Sequence, residues 1–142
     1  MKENIVCSGA LFYATNTKRF LFLQRTDKKT QGMWGLVGGK SKFTESAFEG
    51  LKREIEEETG SLPKFKKVIP LEMFTSNDQK FFFHTYLVAI ESEFIPKLNE
   101  EHSGYCWCAF ECWPKNLHMG LKNTLNNKSI KGKLQTILDL IV

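Results

Sequence analysis

The stretch from Arg53 to Gly60 reads REIEEETG and crowds four glutamates into five positions. The pattern around it is helical. At about 100° per residue, Phe48, Leu51 and Ile55 share one stripe, with Ala47 at its edge, and that stripe must face a core. Glu45, Glu49, Lys52 and Glu56 fall on the solvent side. Glu54, Glu57 and Glu58 are spaced i, i+3 and i+4, so they gather on one flank of the apolar stripe. Like charges at those spacings cost roughly 0.2–0.5 kcal/mol per pair. The negative end of the helix dipole costs each anion in the last turn roughly 0.3–1 kcal/mol more. Local rules are broken twice in one place, and such violations concentrate at functional sites. A hard divalent cation such as Mg²⁺ resolves the conflict, because it takes carboxylate oxygens and is commonly shared with substrate phosphates. Arg53 can pair with Glu57 one turn on, or hold a neighbouring carboxylate in a fixed rotamer. Spacing alone would also suit a solvated acidic face; the residues upstream decide against that.

From Gly39 the chain reads GKSKFTESAFEGLKREIEEETGS. Gly39 is followed at fixed intervals by Glu45, Arg53-Glu54, the aliphatic Ile55, Glu57-Glu58 and Gly60. This resembles the Nudix box, G-x5-E-x7-R-E-U-x-E-E-x-G-U with U aliphatic, over residues 39 to 61. Every charged and glycine position agrees. The last U position departs from the pattern: it holds Ser61, with Leu62 one step later. The flanks are similar too: FLFLQR ends a hydrophobic strand in Arg25, and WGLVGGK runs into a glycine pair, with Val37 where many members have proline.

The resemblance implies a pyrophosphohydrolase of the Nudix (MutT-like) family, acting on a nucleoside diphosphate linked to another moiety, with Mg²⁺ or Mn²⁺. It implies that Glu54, Glu57 and Glu58 are metal ligands, with the Gly39 carbonyl completing the set, and that Glu45 and Arg53 orient loop and helix. Bound metal would neutralise diphosphate charge and orient in-line attack. A general base must lie within hydrogen-bond reach of the attacking water. In this family it comes from the box, here Glu57, or from a downstream loop, here Glu100, Glu101 and His102 in LNEEHSGY. Glu101 is the expected base; His102 reads as a surface or strand-edge histidine. Arg25 can contact phosphate, Trp34 can stack on a base, and Lys40 joins them as a substrate-binding candidate. A mutator-type nucleoside triphosphate pyrophosphohydrolase is the alternative activity. A nucleotide-binding Nudix module without turnover is the alternative of another class, and a degenerate box would have favoured it. Subgroups are sometimes marked by a proline or tyrosine in the window that here spans Ser76 to Gln79, which holds neither.

Two other metal or phosphate motifs fail on spacing. GGKS at residues 38 to 41 resembles the end of a Walker A loop, but the required first glycine would fall at Trp34. His102, Cys106, Cys108 and Cys112 do not have zinc-finger or ribbon spacing, and two of the cysteines lie in an expected strand. Buried structural thiols are the expectation for them.

The elements that must position these residues follow from pattern. Ile5–Ala14 and Arg19–Arg25 read as strands joined at Asn16-Thr17 in a hairpin. Trp34 to Val37 reads as a short strand that Gly38-Gly39 breaks. A helix is expected from Glu45 to Thr59, capped by Thr44 and stopped by Gly60, with Pro63 forbidding continuation. Lys66 to Thr75 and Phe81 to Ile90 flank the turn Ser76-Asn77-Asp78. Residues 96 to 104 read as a polar loop, Tyr105 to Phe110 as a strand, and Ser129 to Val142 as a terminal amphipathic helix whose stripe of Ile130, Leu134, Ile137, Leu138 and Ile141 packs on the core. Strands with helices inserted early and late imply an α/β fold, a mixed β-sheet between helices; with the box this is an α/β/α Nudix-type sandwich. The chain of 142 residues is expected to form a single domain, residues 1 to 142. Its net charge of +4 is too mild for nucleic-acid binding and suits surface lysines or a weak field that draws an anionic substrate. The polar start MKENIVCSG reads as no signal peptide, and no apolar run approaches the roughly 20 residues that span a bilayer. A cytoplasmic protein with reduced thiols, no membrane contact and a small nucleotide substrate is expected. Many such relatives form homodimers; nothing in the sequence selects an interface.

Overall fold

The computed structural model describes residues 4–141. Its centre is a seven-stranded mixed sheet built from β1 (Ile5–Ala14), β2 (Arg19–Arg25), β3 (Trp34–Gly35), β4 (Val37–Lys40), β5 (Lys67–Thr75), β6 (Phe81–Ile90) and β7 (His102–Ala109). Helix α1 (Ala47–Thr59) follows β4, and α2 (Met119–Asn126) and α3 (Lys128–Leu140) end the chain. β1 runs parallel to β6 along its whole length, from Ile5 opposite Phe81 to Ala14 opposite Ile90. The other pairs are antiparallel.

Strand alternation sorts side chains to two cores. Ala10, Phe12, Ala14, Leu21, Leu23, Val88 and Ile90 meet Leu51 and Ile55 of α1 on one face. Leu11, Tyr13, Phe20, Phe22 and Leu87 meet Leu121, Leu125 and Leu134 of α2 and α3 on the other. β1, β2 and β6 are buried on both faces, which is why they read as continuous apolar runs. Burying Leu51 and Ile55 fully is worth roughly 1.5–3 kcal/mol each. The terminal stripe behaves as expected: Leu134 is buried, and Ile130, Ile137, Leu138 and Ile141 pack against the second core.

The β1–β2 hairpin is short. Only Tyr13–Phe20 and Ala14–Arg19 pair before the strands part. The segment after Gly32 wedges into the gap: β3 pairs with β2 at Leu23 and Gln24, and β4 pairs with β1 from Cys7 to Ala10. The expected strand ending at Val37 is therefore two strands separated at Leu36, and Gly38-Gly39 carry the ladder on instead of breaking it. Close approach explains the glycines. A Cβ on Gly38 would lie 2.0 Å from the Ser8 carbonyl oxygen, and one on Gly39 would lie 1.7 Å from Glu54 Oε2.

Helix α1 begins two residues later than expected. Ser46, not Thr44, is the cap. Its hydroxyl accepts from the Glu49 amide, and Glu49 accepts from the Ser46 amide. Gly60 ends the helix in the left-handed region, φ 76°, as its sequence position implied. Leu62, displaced from the last aliphatic position of the motif, is exposed. The strand expected to begin at Tyr105 begins at His102 and ends at Ala109. Among the described residues no helix is long and apolar enough to cross a membrane.

Candidate active site

The acidic flank of α1 faces three supports: the β4 glycines, the loop at residues 41 to 46, and the segment that leads into β7. Arg53 ties helix to loop. Its Nε donates to Glu45 Oε2 at 2.7 Å and its Nη2 to Glu45 Oε1 at 3.0 Å, a two-pronged pair. Nη2 also donates to the Lys40 carbonyl, and Nη1 to Glu57 at 3.1 Å and Glu54 at 3.4 Å. Glu45 completes the tie by accepting from the Lys42 amide at 2.7 Å. Its carboxyl is held down to about 2, first by the Arg53 bond and then by the Lys42 amide, while the same bond raises Arg53. Glu45 is half-buried and engaged, so its expected place on an open solvent face needs correction.

The three clustered glutamates have unlike surroundings. Glu57 is exposed; Glu54 is half-buried; Glu58 is only 4% exposed. Burial pushes Glu58 up to about 9, with a further push from a hydrogen bond to Glu101, against one stabilising bond from the Gly38 amide at 2.9 Å. Glu54 is pushed up to about 7, first by burial and then by a hydrogen bond with Glu57, whose own carboxyl is lowered by that bond and by Arg53. Glu54 and Glu58 are thus the two carboxyls of the cluster that burial pushes up, Glu54 beside Glu57 and Glu58 beside Glu101. Around the single guanidinium of Arg53 the site gathers several carboxylates. Hard oxygen donors that compete for protons in a half-buried cleft fit a Mg²⁺-class ion.

Glu101 is carried here by a pinned loop. Asn99 Nδ2 donates to the Glu57 carbonyl at 3.1 Å and Asn99 Oδ1 accepts from the Glu101 amide. Lys97 donates to the Thr59 carbonyl, and Thr26 bonds the Glu100 and Glu101 carbonyls. Loop and helix end are therefore one unit.

The family model for the NUDIX domain matches residues 6–127. The chain belongs to the Nudix hydrolase family. A curated relative, Nudix hydrolase 6 of Arabidopsis thaliana, is 41% identical over 63 residues, which span 43% of this chain and only 22% of that relative's length. The MutT NUDIX hydrolase of Burkholderia pseudomallei superposes with a TM-score of 0.72 at 25% identity, over 89% of this chain and 99% of that one. A Caenorhabditis elegans Ap4A hydrolase shares the fold with a TM-score of 0.71 at 18% identity, over 95% and 99% of the two chains. Nudix hydrolases generally use a divalent metal, in keeping with the acidic cluster.

The remaining candidates of this Nudix chain are placed less uniformly. Gly39 lies against Glu54. Lys40 is exposed at the end of β4 and borders an open groove of about 760 Å³ with Lys42, Phe43, Glu45 and Arg53. Arg25 lies opposite His102 in the β2–β7 ladder, its Nε held by Thr30 at 2.7 Å and Asp27 at 3.1 Å. Trp34 is not brought to the acidic cluster. It is half-buried against the α2–α3 core, its backbone bonded to Asn116 and His118. His102 is not a surface histidine: it is buried beside Glu58 and Glu101. The thiols also depart from expectation. Cys106 and Cys108 are half-buried with sulfurs 3.6 Å apart, burial pushing Cys106 up to about 12, and Cys112 is exposed.

Proposed function

We propose that this chain is a single-domain, Mg²⁺-dependent pyrophosphohydrolase that cleaves a nucleoside diphosphate linked to another moiety, such as a nucleotide sugar or ADP-ribose. The observation that carries the reading is the gathering of Glu54, Glu57 and Glu58 on one flank of α1, against the Gly38-Gly39 backbone and Arg53, with every charged position of the family motif intact. Glu54, Glu57, Glu58 and the Gly39 carbonyl would hold the cation, which when bound would supply charge neutralisation for the diphosphate and acidify the attacking water. Arg53 and Glu45 keep the helix flank and the β4–α1 loop in register, so the carboxylates keep their positions through turnover. Glu101 takes the proton from water as its oxygen attacks phosphorus; Glu57 is the other carboxylate within the box able to do so. The P–O–P bridge breaks and two phosphomonoesters leave. Lys40 and Arg25 supply positive charge toward substrate phosphates. Four free cysteines suit work in the reducing cytoplasm.

The test is a panel of nucleoside triphosphates, ADP-ribose, nucleotide sugars and dinucleoside polyphosphates, with products resolved by chromatography. Cleavage of a linked diphosphate to two monophosphates is expected. Release of pyrophosphate from triphosphates alone would transfer the chain to the mutator-type activity. Tight nucleotide binding with no product from any substrate would make it a binding module.

A further inference from the structure

Among the described residues, one group brings three metal-ligating side chains together: Glu58, Glu101 and His102, whose ligand atoms lie within 4.8 Å of one another. It is not the acidic triplet of the helix. His102 is 92% buried by its 8% exposure, and its Nδ1 is buried with no hydrogen-bond partner. A buried polar atom without a partner costs roughly 1–3 kcal/mol, so an empty explanation is poor.

The strand geometry shows how His102 comes to this side of the sheet. Along β7, Trp107 packs on the α1 core while Cys106 and Cys108 pack on the opposite core. Strict alternation would send residue 102 to the side of Cys106, away from α1. The β2–β7 register shifts between Gln24, which pairs with Gly104, and Arg25, which pairs with His102. Ser103 is the extra residue. This bulge reverses the parity of the strand end and turns His102 to the α1 side, where Glu58 lies. Bulges that re-aim one side chain recur beside active sites.

We propose that Glu58, Glu101 and His102 form a cation site of mixed oxygen and nitrogen ligation that takes Mn²⁺, or a similar first-row transition ion, in preference to Mg²⁺. The inference rests on the reading above that the α1 carboxylates bind a divalent cation, and it adds which ion one part of that cleft prefers. Imidazole nitrogen suits transition ions, whereas Mg²⁺ strongly prefers oxygen. A ligating histidine must be neutral, and His102 sits buried with its Nδ1 unpartnered. Arg25 lies opposite His102 in the ladder, its Nε held by Asp27 and Thr30.

Untagged protein stripped with chelator and loaded with Mn²⁺ alone gives a readout independent of turnover. Electron spin echo modulation reports a nitrogen nucleus coupled to the ion, and equilibrium dialysis gives the ratio of Mn²⁺ to Mg²⁺ affinity. The wild type is expected to show imidazole nitrogen coupling. His102→Gln is expected to lose it and to bind Mn²⁺ at least about tenfold more weakly with Mg²⁺ binding little changed. The chain has three histidines, so a His84→Gln/His118→Gln double variant leaves His102 alone and must retain the coupling, which decides the matter even if His102→Gln does not fold. Mn²⁺ bound with no nitrogen coupling, or coupling that survives in His102→Gln, overturns the mixed site and leaves the carboxylate reading standing. No Mn²⁺ or Mg²⁺ binding at all overturns both.

Discussion

Replacing Gly39 by alanine tests whether the position of Glu54 matters more than its presence. The added Cβ would sit 1.7 Å from Glu54 Oε2 and 2.6 Å from Cδ. Ordinary contact begins near 3.4 Å, so the carboxylate must withdraw by roughly 1.5 Å. Glu54 ends in a flexible side chain on the rim of the cleft, and it can swing aside without moving α1. The backbone gains stiffness, worth about 0.4–1 kcal/mol where the conformation is compatible. Stability should therefore change by less than about 1 kcal/mol. Activity should not survive so well: a displacement of about 1 Å can cost on the order of 10²-fold. That corresponds to about 2.7 kcal/mol of barrier. The neighbouring Gly38→Ala variant is the control. Its Cβ would meet the Ser8 carbonyl oxygen at 2.0 Å and the Gly9 Cα at 2.8 Å, both backbone. Nothing there can swing aside, so Gly38→Ala should lose stability by several kcal/mol, of the kind seen for severe overpacking. Thermal melting and steady-state kinetics on both variants separate the cases. A Gly39→Ala enzyme with wild-type kcat and KM would refute the assignment of Glu54 to the reacting centre.

Three further outcomes are expected. Ser46→Ala should cost about 1 kcal/mol by removing the cap of α1, read from urea denaturation, with kcat nearly intact. Arg53→Lys should fold but lose on the order of 10²-fold in kcat, because an ammonium cannot span Glu45, Glu57 and the Lys40 carbonyl at once; rescue of full activity by lysine would contradict the positioning role. In chelator, stability should fall as pH rises from about 5 to 9. Glu58, raised to about 9 in the fold from an ordinary value near 4.5, keeps a proton that the unfolded chain releases, so the folded state binds more protons across that window. Melting temperatures at pH 6 and 8.5 should differ less in Glu58→Gln, and an equal or larger drop in that variant would argue against the buried carboxyl as the cause.

What the sequence disclosed was mostly local in origin. The α1 stripe of Leu51 and Ile55, the Gly60 stop and the clash among Glu54, Glu57 and Glu58 follow from helical spacing alone, and the structure buries or clusters those residues accordingly. Ser46 displaces the expected Thr44 as cap because Glu49, three residues after Ser46, answers it with a reciprocal bond, whereas three residues after Thr44 stands Ala47, which cannot. Long-range features were hidden. Gly38-Gly39 looked like a break because nothing local announces that the β1 backbone will close on Gly38 and the Glu54 side chain on Gly39. Helix α2 escaped notice since its eight residues bury only Leu121, Thr124 and Leu125 and its cap is a histidine, His118, accepting from the Gly120 amide. The burial of His102 depended on a bulge between strands far apart in sequence, which single-strand alternation cannot forecast. Trp34 invited a stacking role, yet its pairing with Gln24 and its bridge to Leu117 commit it to the α2–α3 side.

The central claim is that the carboxylates of α1 hold the cation that makes this chain a hydrolase. Its most direct test is the rate of linked-diphosphate cleavage with Mg²⁺ and with chelator, for wild type and for Glu57→Gln. Glu57 is exposed and its side chain bonds Glu54 and Arg53, so replacing the carboxylate should leave the fold intact. The account predicts turnover that requires the metal and falls by several orders of magnitude in the variant while its melting temperature holds. Undiminished cleavage in Glu57→Gln, or cleavage that persists in chelator, would contradict it.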